Sequence, residues 1–111
     1  MRLLEDSISK EELRKIALSG FGNLVKAVVD LKKGALVIDA ALHADAEALL
    51  LAQGSNQTDL WGVNLYPDLE GEDFIEFDSM INLRPGQNSS RGVDDPEVQK
   101  RIRTLVLGLV K

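Results

Sequence analysis

A chain of 111 residues is one domain's worth of sequence and leaves no room for a second core. Its hydrophobic share of 44% beside 28% charged residues is that of a globular protein that folds without staples. The absence of cysteine excludes disulfides, thiolate nucleophiles, thiolate zinc sites and iron–sulfur clusters, and a net charge of −5 disfavours nucleic acid and anionic lipid as partners.

Glu5 and Asp6 arrive before any apolar stretch, so no signal peptide is expected. No run approaches the ~20 apolar residues of a membrane span. With cysteine absent as well, the expected location is cytoplasmic, away from membranes. Basic residues cluster only in KRIRT, from Lys100, where they complement the dipole of the last helix.

The first helix is announced by its caps. Ser9 and Glu12 are spaced as a capping box, Ile8 and Leu13 as a hydrophobic staple, and Gly20 as a stop. This predicts a helix over residues 10–19 with Leu13, Ile16 and Ala17 on its core side. Val25, Ala27, Val29 and Leu31 then alternate with Lys26, Val28 and Asp30, a valine-rich strand pattern. Gly34 ends the tight turn KKG, and ALVID returns as the partner strand. Asp39 is placed to cap a second helix over residues 41–53, closed by Gly54, with Leu42, Ala46, Leu49 and Leu50 toward the core.

Beyond the polar loop GSNQTD, two more strands are expected, LWGVNLYP and DFIEFDSMINLRP, joined by DLEGED. In the second, Ile75, Phe77, Ser79, Ile81 and Leu83 point one way, and Glu76, Asp78, Met80, Asn82 and Arg84 the other. A long polar loop starts at Pro85. Asp95 then caps the last helix, Pro96 takes its first position, and Val98, Ile102, Leu105, Val106 and Leu109 form its buried stripe.

The order is αββαββα. A half-polar sheet carries its helices on the apolar side only. The expectation is a single α+β domain over residues 1–111, two layers thick, with three helices on one face of a four-stranded sheet. Helix two is long enough for a parallel crossover between the antiparallel hairpins, which makes the sheet mixed.

The chain's one histidine, His43, stands in LHADAE. His43 and Glu47 share a helical face, so both can meet a metal, whereas Asp45 lies well round the cylinder. A zinc site would need further carboxylates, such as Glu76 or Asp78. The plainer alternative is a polar flank in which Glu47 hydrogen-bonds His43. No G-x-S-x-G elbow presents a serine, and Ser79 falls on the apolar side of its strand. The glycines of SGFGN leave a helix and do not open one, so no phosphate loop is present. No cofactor is expected.

The polar sheet face says more. Asn64, Tyr66, Glu76, Asp78, Asn82 and Arg84 would line adjacent strands, with Gln87, Asn88 and Arg91 in the loop beyond. These side chains form directional hydrogen bonds, unlike the interchangeable lysines and glutamates of an ordinary solvated face. Two uses follow: binding of a small polar or anionic ligand through Arg84 and Arg91, or an interface with another copy. An ordinary solvated face with an Asp78–Arg84 pair is the alternative. Leu51 and Leu107 lie opposite the buried stripes of helices two and three, which makes self-association worth testing.

Through LHADAE, GSNQTDLWGVNLYP and FDSMINLRPGQN, the chain resembles a small uncharacterised bacterial protein family, a domain of unknown function. The likeness runs from about Val25 to the carboxyl terminus. It implies a fold and a set of positions (His43, Asp45, Glu47, Trp61, Asn64, Asn82 and Arg84) but no reaction. Ala41 departs from the acidic residue of the family pattern, which removes a carboxylate near His43, and GQNSSRG departs from its loop. The reading favoured is a binding or interaction module using Asn64, Tyr66, Asp78, Asn82, Arg84 and Arg91, and homo-oligomeric. The alternative is a hydrolase-like enzyme with His43 as base or metal ligand and Arg84 holding an anion.

Overall fold

The computed structural model describes all 111 residues. Its strands are β1 (Arg2–Leu4), β2 (Val25–Asp30), β3 (Ala35–Ile38), β4 (Leu60–Leu65) and β5 (Ile75–Glu76). Its helices are α1 (Lys10–Ser19), α2 (His43–Ala52) and α3 (Pro96–Leu109). The class is α+β as expected, and no helix is long and apolar enough to cross a membrane.

Local signals placed two helices well. Ser9 Oγ accepts from the Glu12 amide at 3.0 Å and caps α1, while Ile8 and Leu13 are both buried. Asp95 Oδ1 accepts from the Glu97 amide and caps α3 behind Pro96. The β2–β3 turn closes as read, with Gly34 at φ +67 and the Asp30 carboxylate accepting from the Lys32 and Lys33 amides.

The sheet differs from expectation in count and pairing. It has five strands, ordered β1-β3-β2-β4-β5, and every neighbouring pair is antiparallel. The extra strand, β1, is three residues long and shows no alternation, so its sequence carries no strand signal. The crossover through α2 does carry the chain between two parallel strands, β3 and β4. They never touch, because β2 lies between them and pairs with both. A mixed sheet is therefore avoided.

The helices do not share one face either. Val25, Ala27, Val29, Leu36, Ile38, Trp61, Val63 and Leu65 pack with Leu13 and Ala17 of α1 and Ile102 and Val106 of α3. Val28, Val37 and Leu60 point the opposite way, onto Ala46 and Leu50 of α2. Strands buried on both sides read as continuous apolar runs, which AVV and ALVI are. Leu51 and Leu107 are indeed exposed, but α2 and α3 lie on opposite faces of the sheet, so the two leucines form no common patch.

The stretch expected as the last strand is the largest departure. Only Ile75 and Glu76 pair with β4. Ser79 Oγ then accepts from the Ile81 amide, and residues Met80–Asn82 form a 3₁₀ turn. A turn of three residues shifts the two-residue rhythm out of phase. Asn82 and Arg84, expected in solvent, are 0% and 8% exposed, while Leu83 faces outward. The loop beyond is ordered by Asn88, whose amide nitrogen lies 2.8–3.0 Å from the Asn82, Ser90 and Gly92 carbonyls.

Candidate functional site

α2 is short and covers only part of its sheet face. Asp39 does not cap it; the helix starts at His43, and Leu42, which precedes it without a side-chain cap, stays exposed. The uncovered part runs toward β5, where the strand register sets three side chains in a row. Lys26 pairs with Asn64, and Asn64 with Glu76. Directly opposed residues on antiparallel strands share a face, so the row crosses β2, β4 and β5. Leu42, His43 and Ala44 of the α2 start and Asp78 to Ile81 of the crossing segment flank it. With Leu24, Tyr66 and Arg91 they enclose an open cleft of about 530 Å³.

Gly62 lets the cleft walls approach the sheet. A Cβ there would stand 2.5 Å from Ser79 Oγ, 2.6 Å from Ser79 Cβ and 3.2 Å from His43 Cγ. The His43 ring therefore lies against bare backbone, with Nε2 2.8 Å from the Val63 carbonyl oxygen. A carbonyl only accepts, so Nε2 carries the proton and the neutral ring keeps its lone pair on Nδ1, which has no partner in the protein.

Burial lowers the His43 pKa below its ordinary 6.5; Lys26 and Arg91 act in the same direction, against the Val63 bond and Asp78. The ring is neutral at pH 7. As pH falls below 6.5 the unfolded chain takes up a proton that the native ring resists, so stability is lost until the lowered native pKa is passed. His43→Gln, which keeps a donor for Val63, is expected to remove this part of the acid slope. Urea midpoints of both proteins across that window check it, and parallel slopes would contradict it.

Asn64 is held in one orientation. Its Nδ2 donates to Glu76 Oε1 at 2.8 Å and to the Asp78 carbonyl at 3.4 Å, and neither acceptor could receive the amide oxygen. Oδ1 is thereby left buried without a donor, which costs about 1–3 kcal/mol. Tyr66 donates to the same Glu76 oxygen, and burial together with that carboxylate pushes its phenol above 10.0. Asp78 pairs with Arg91 at 2.7 Å, not with Arg84 as the solvated-face alternative had it; both partners are about half-exposed, so the pair contributes little stability.

The cleft thus unites His43, Asn64, Tyr66, Asp78 and Arg91 and leaves out two residues expected with them. Asn82 is spent on the fold: its side-chain amide exchanges two hydrogen bonds with the Gly62 backbone, as a paired strand would. Arg84 stacks on the Trp61 ring at 4.1 Å and donates to the Gln57 and Leu60 carbonyls, so its guanidinium faces no ligand in the cleft. Glu47 forms no bond to His43; its Oε2 is buried unpartnered, and its charge acts on Arg84. No three His, Asp or Glu side chains gather into a metal-binding group. Lys26 is the cleft residue the sequence reading missed. Its alternation marked it as facing away from the main core, but only the β2–β4 register brings it beside Asn64.

Fold and cleft together define a small α+β domain with its sheet covered on both faces and one polar corner left open. The chain belongs to DUF5674, a family described as proteins of unknown function, whose pattern matches residues 2–109. The resemblance read from the sequence to a family without assigned function is thereby met. No curated protein and no solved structure matches the chain.

Proposed function

We propose that the protein is a binding module and that the cleft beside the start of α2 receives a small polar molecule. The observation that carries this reading is the convergence of unsatisfied polar atoms there. His43 Nδ1 lacks a donor, and neither Lys26 nor Glu76 forms an ion pair. Pockets of roughly 300–1,000 Å³ with a few convergent polar groups are the usual form of small-molecule sites. The sequence-based reading gave the anion to Arg84 and Arg91; with Arg84 outside the cleft and Arg91 paired with Asp78, the role moves to Lys26.

The test is a titration of ¹⁵N-labelled protein with acetate, benzoate, inorganic phosphate and L-glutamine. Saturable amide shifts confined to residues 24–26, 42–44, 64–66 and 76–81 are the expected result. Shifts that are absent, or scattered over the surface, would sink the reading.

One observation favours an enzyme as the second reading: His43 is neutral at pH 7 with Nδ1 free to take a proton. Ser79 adjoins it above Gly62, but that residue is 1% exposed and its hydroxyl is turned into the 3₁₀ turn. The arrangement therefore offers a base with no accessible nucleophile of its own.

A further inference from the structure

We propose that the cleft is built for a zwitterion of the α-amino-acid type, with its carboxylate toward Lys26 and its ammonium toward Glu76. This rests on the binding reading above and specifies its ligand. The cleft contains four charged side chains, Lys26, Glu76, Asp78 and Arg91. Asp78 and Arg91 neutralise each other. Lys26 and Glu76 remain, and neither is in an ion pair with any residue.

Lys26 and Glu76 stand at the two ends of one row, on β2 and β5, with Asn64 between them on β4. Two strand spacings separate their backbones, roughly 10 Å. An anion alone would meet Lys26 but face the Glu76 carboxylate uncompensated; a cation alone would meet the reverse. A molecule carrying both charges answers both ends and leaves the cleft neutral.

Hydrogen bonding agrees with this orientation. Glu76 Oε1 already accepts from Asn64 and Tyr66, so its second oxygen is free for a donor. Asn64 turns its Nδ2 toward that carboxylate and keeps its own oxygen buried, so the free Glu76 oxygen is the acceptor at this end. A free carboxylate oxygen at the Glu76 end suits an ammonium. Leu42 and Met80, 57% and 62% exposed, line the mouth and suit an apolar side chain on such a molecule.

The experiment compares L-leucine, N-acetyl-L-leucine and L-leucinamide at pH 7, titrated into the ¹⁵N-labelled full chain. L-leucine is expected to give saturable shifts at the Asn64 side-chain amide, His43 and Ala44. Removing either charge is expected to weaken binding at least tenfold. Equal binding of N-acetyl-L-leucine or of L-leucinamide would overturn the zwitterion while leaving a binding cleft in place. No binding by any of the three would also overturn it, and the acetate, benzoate and phosphate titrations then decide separately whether the cleft binds anything. Lys26→Met and Glu76→Gln, with amide spectra otherwise unchanged, should each weaken L-leucine binding at least tenfold; unchanged affinity in either contradicts the proposal.

Discussion

Gly62→Ala is expected to destabilise the protein by about 3 kcal/mol, at the upper end of what overpacking costs. For a chain of this size that lowers the thermal midpoint by roughly 10 °C. The added Cβ would stand 2.5–2.6 Å from two Ser79 atoms and 3.2 Å from the His43 ring. None of these is the loose end of a flexible side chain. Ser79 is pinned by its amide bond to Arg91, by the Asn82 amide on its carbonyl and by the Ile81 amide on its hydroxyl. His43 is tied to Val63. The strain must move either the crossing segment or the start of α2, and both are walls of the cleft. Differential scanning calorimetry checks the midpoint, and the double variant with Ser79→Gly, which deletes both clashing atoms, should recover most of the loss. A Gly62→Ala protein as stable as the parent would refute the packing described around residue 62.

Asn82→Ala should cost still more, about 3–4 kcal/mol, because it orphans both Gly62 backbone groups at once and takes a second donor from the Arg91 carbonyl. Asn82 Oδ1 accepts from the Gly62 amide at 2.9 Å, and Nδ2 donates to the Gly62 and Arg91 carbonyls at 3.0 Å each. The residue is 0% exposed, so water does not replace these bonds without opening the structure. Asn82→Asp separates the two halves of the amide. A carboxylate still accepts from Gly62 but confronts two carbonyl oxygens, whereas the protonated acid can donate to one of them. The native pKa of the new acid is therefore raised above its unfolded value of ~3.9. Its stabilising form is present below that value and lost as pH rises through the raised native pKa. Urea midpoints of Asn82→Asp should approach those of the parent on acidification, with Asn82→Ala as the reference for background titration. A constant gap would show that residue 82 does not pair with the β4 edge.

These two positions show where sequence reasoning stopped. The helix caps at Ser9 and Asp95 and the Gly34 turn were legible because each is settled within a few residues of chain. The segment from Ile75 to Arg84 misled for the same reason. Its alternation is real as far as Glu76, and the remaining edge of β4 was there for a strand to continue along. Instead, the Asn82 amide takes over the Gly62 backbone groups that such pairing would use. Asn82 and Arg84 belong among the residues the family likeness singled out, yet they serve the architecture, one as a substitute strand and the other as a clasp over Trp61.

By itself the sequence determined the α+β class, both ends of α1, the start of α3, the first hairpin, and the polar residue types from which a site could be made. Caps, turns and periodicity are short-range, so a single chain read in order displays them. Which face α2 covers, which strand lies beside which, and therefore that Lys26, Asn64 and Glu76 stand in one row beside His43, was decided only in three dimensions. Those relations depend on how buried area is shared between distant segments, and no local pattern of residues encodes that balance.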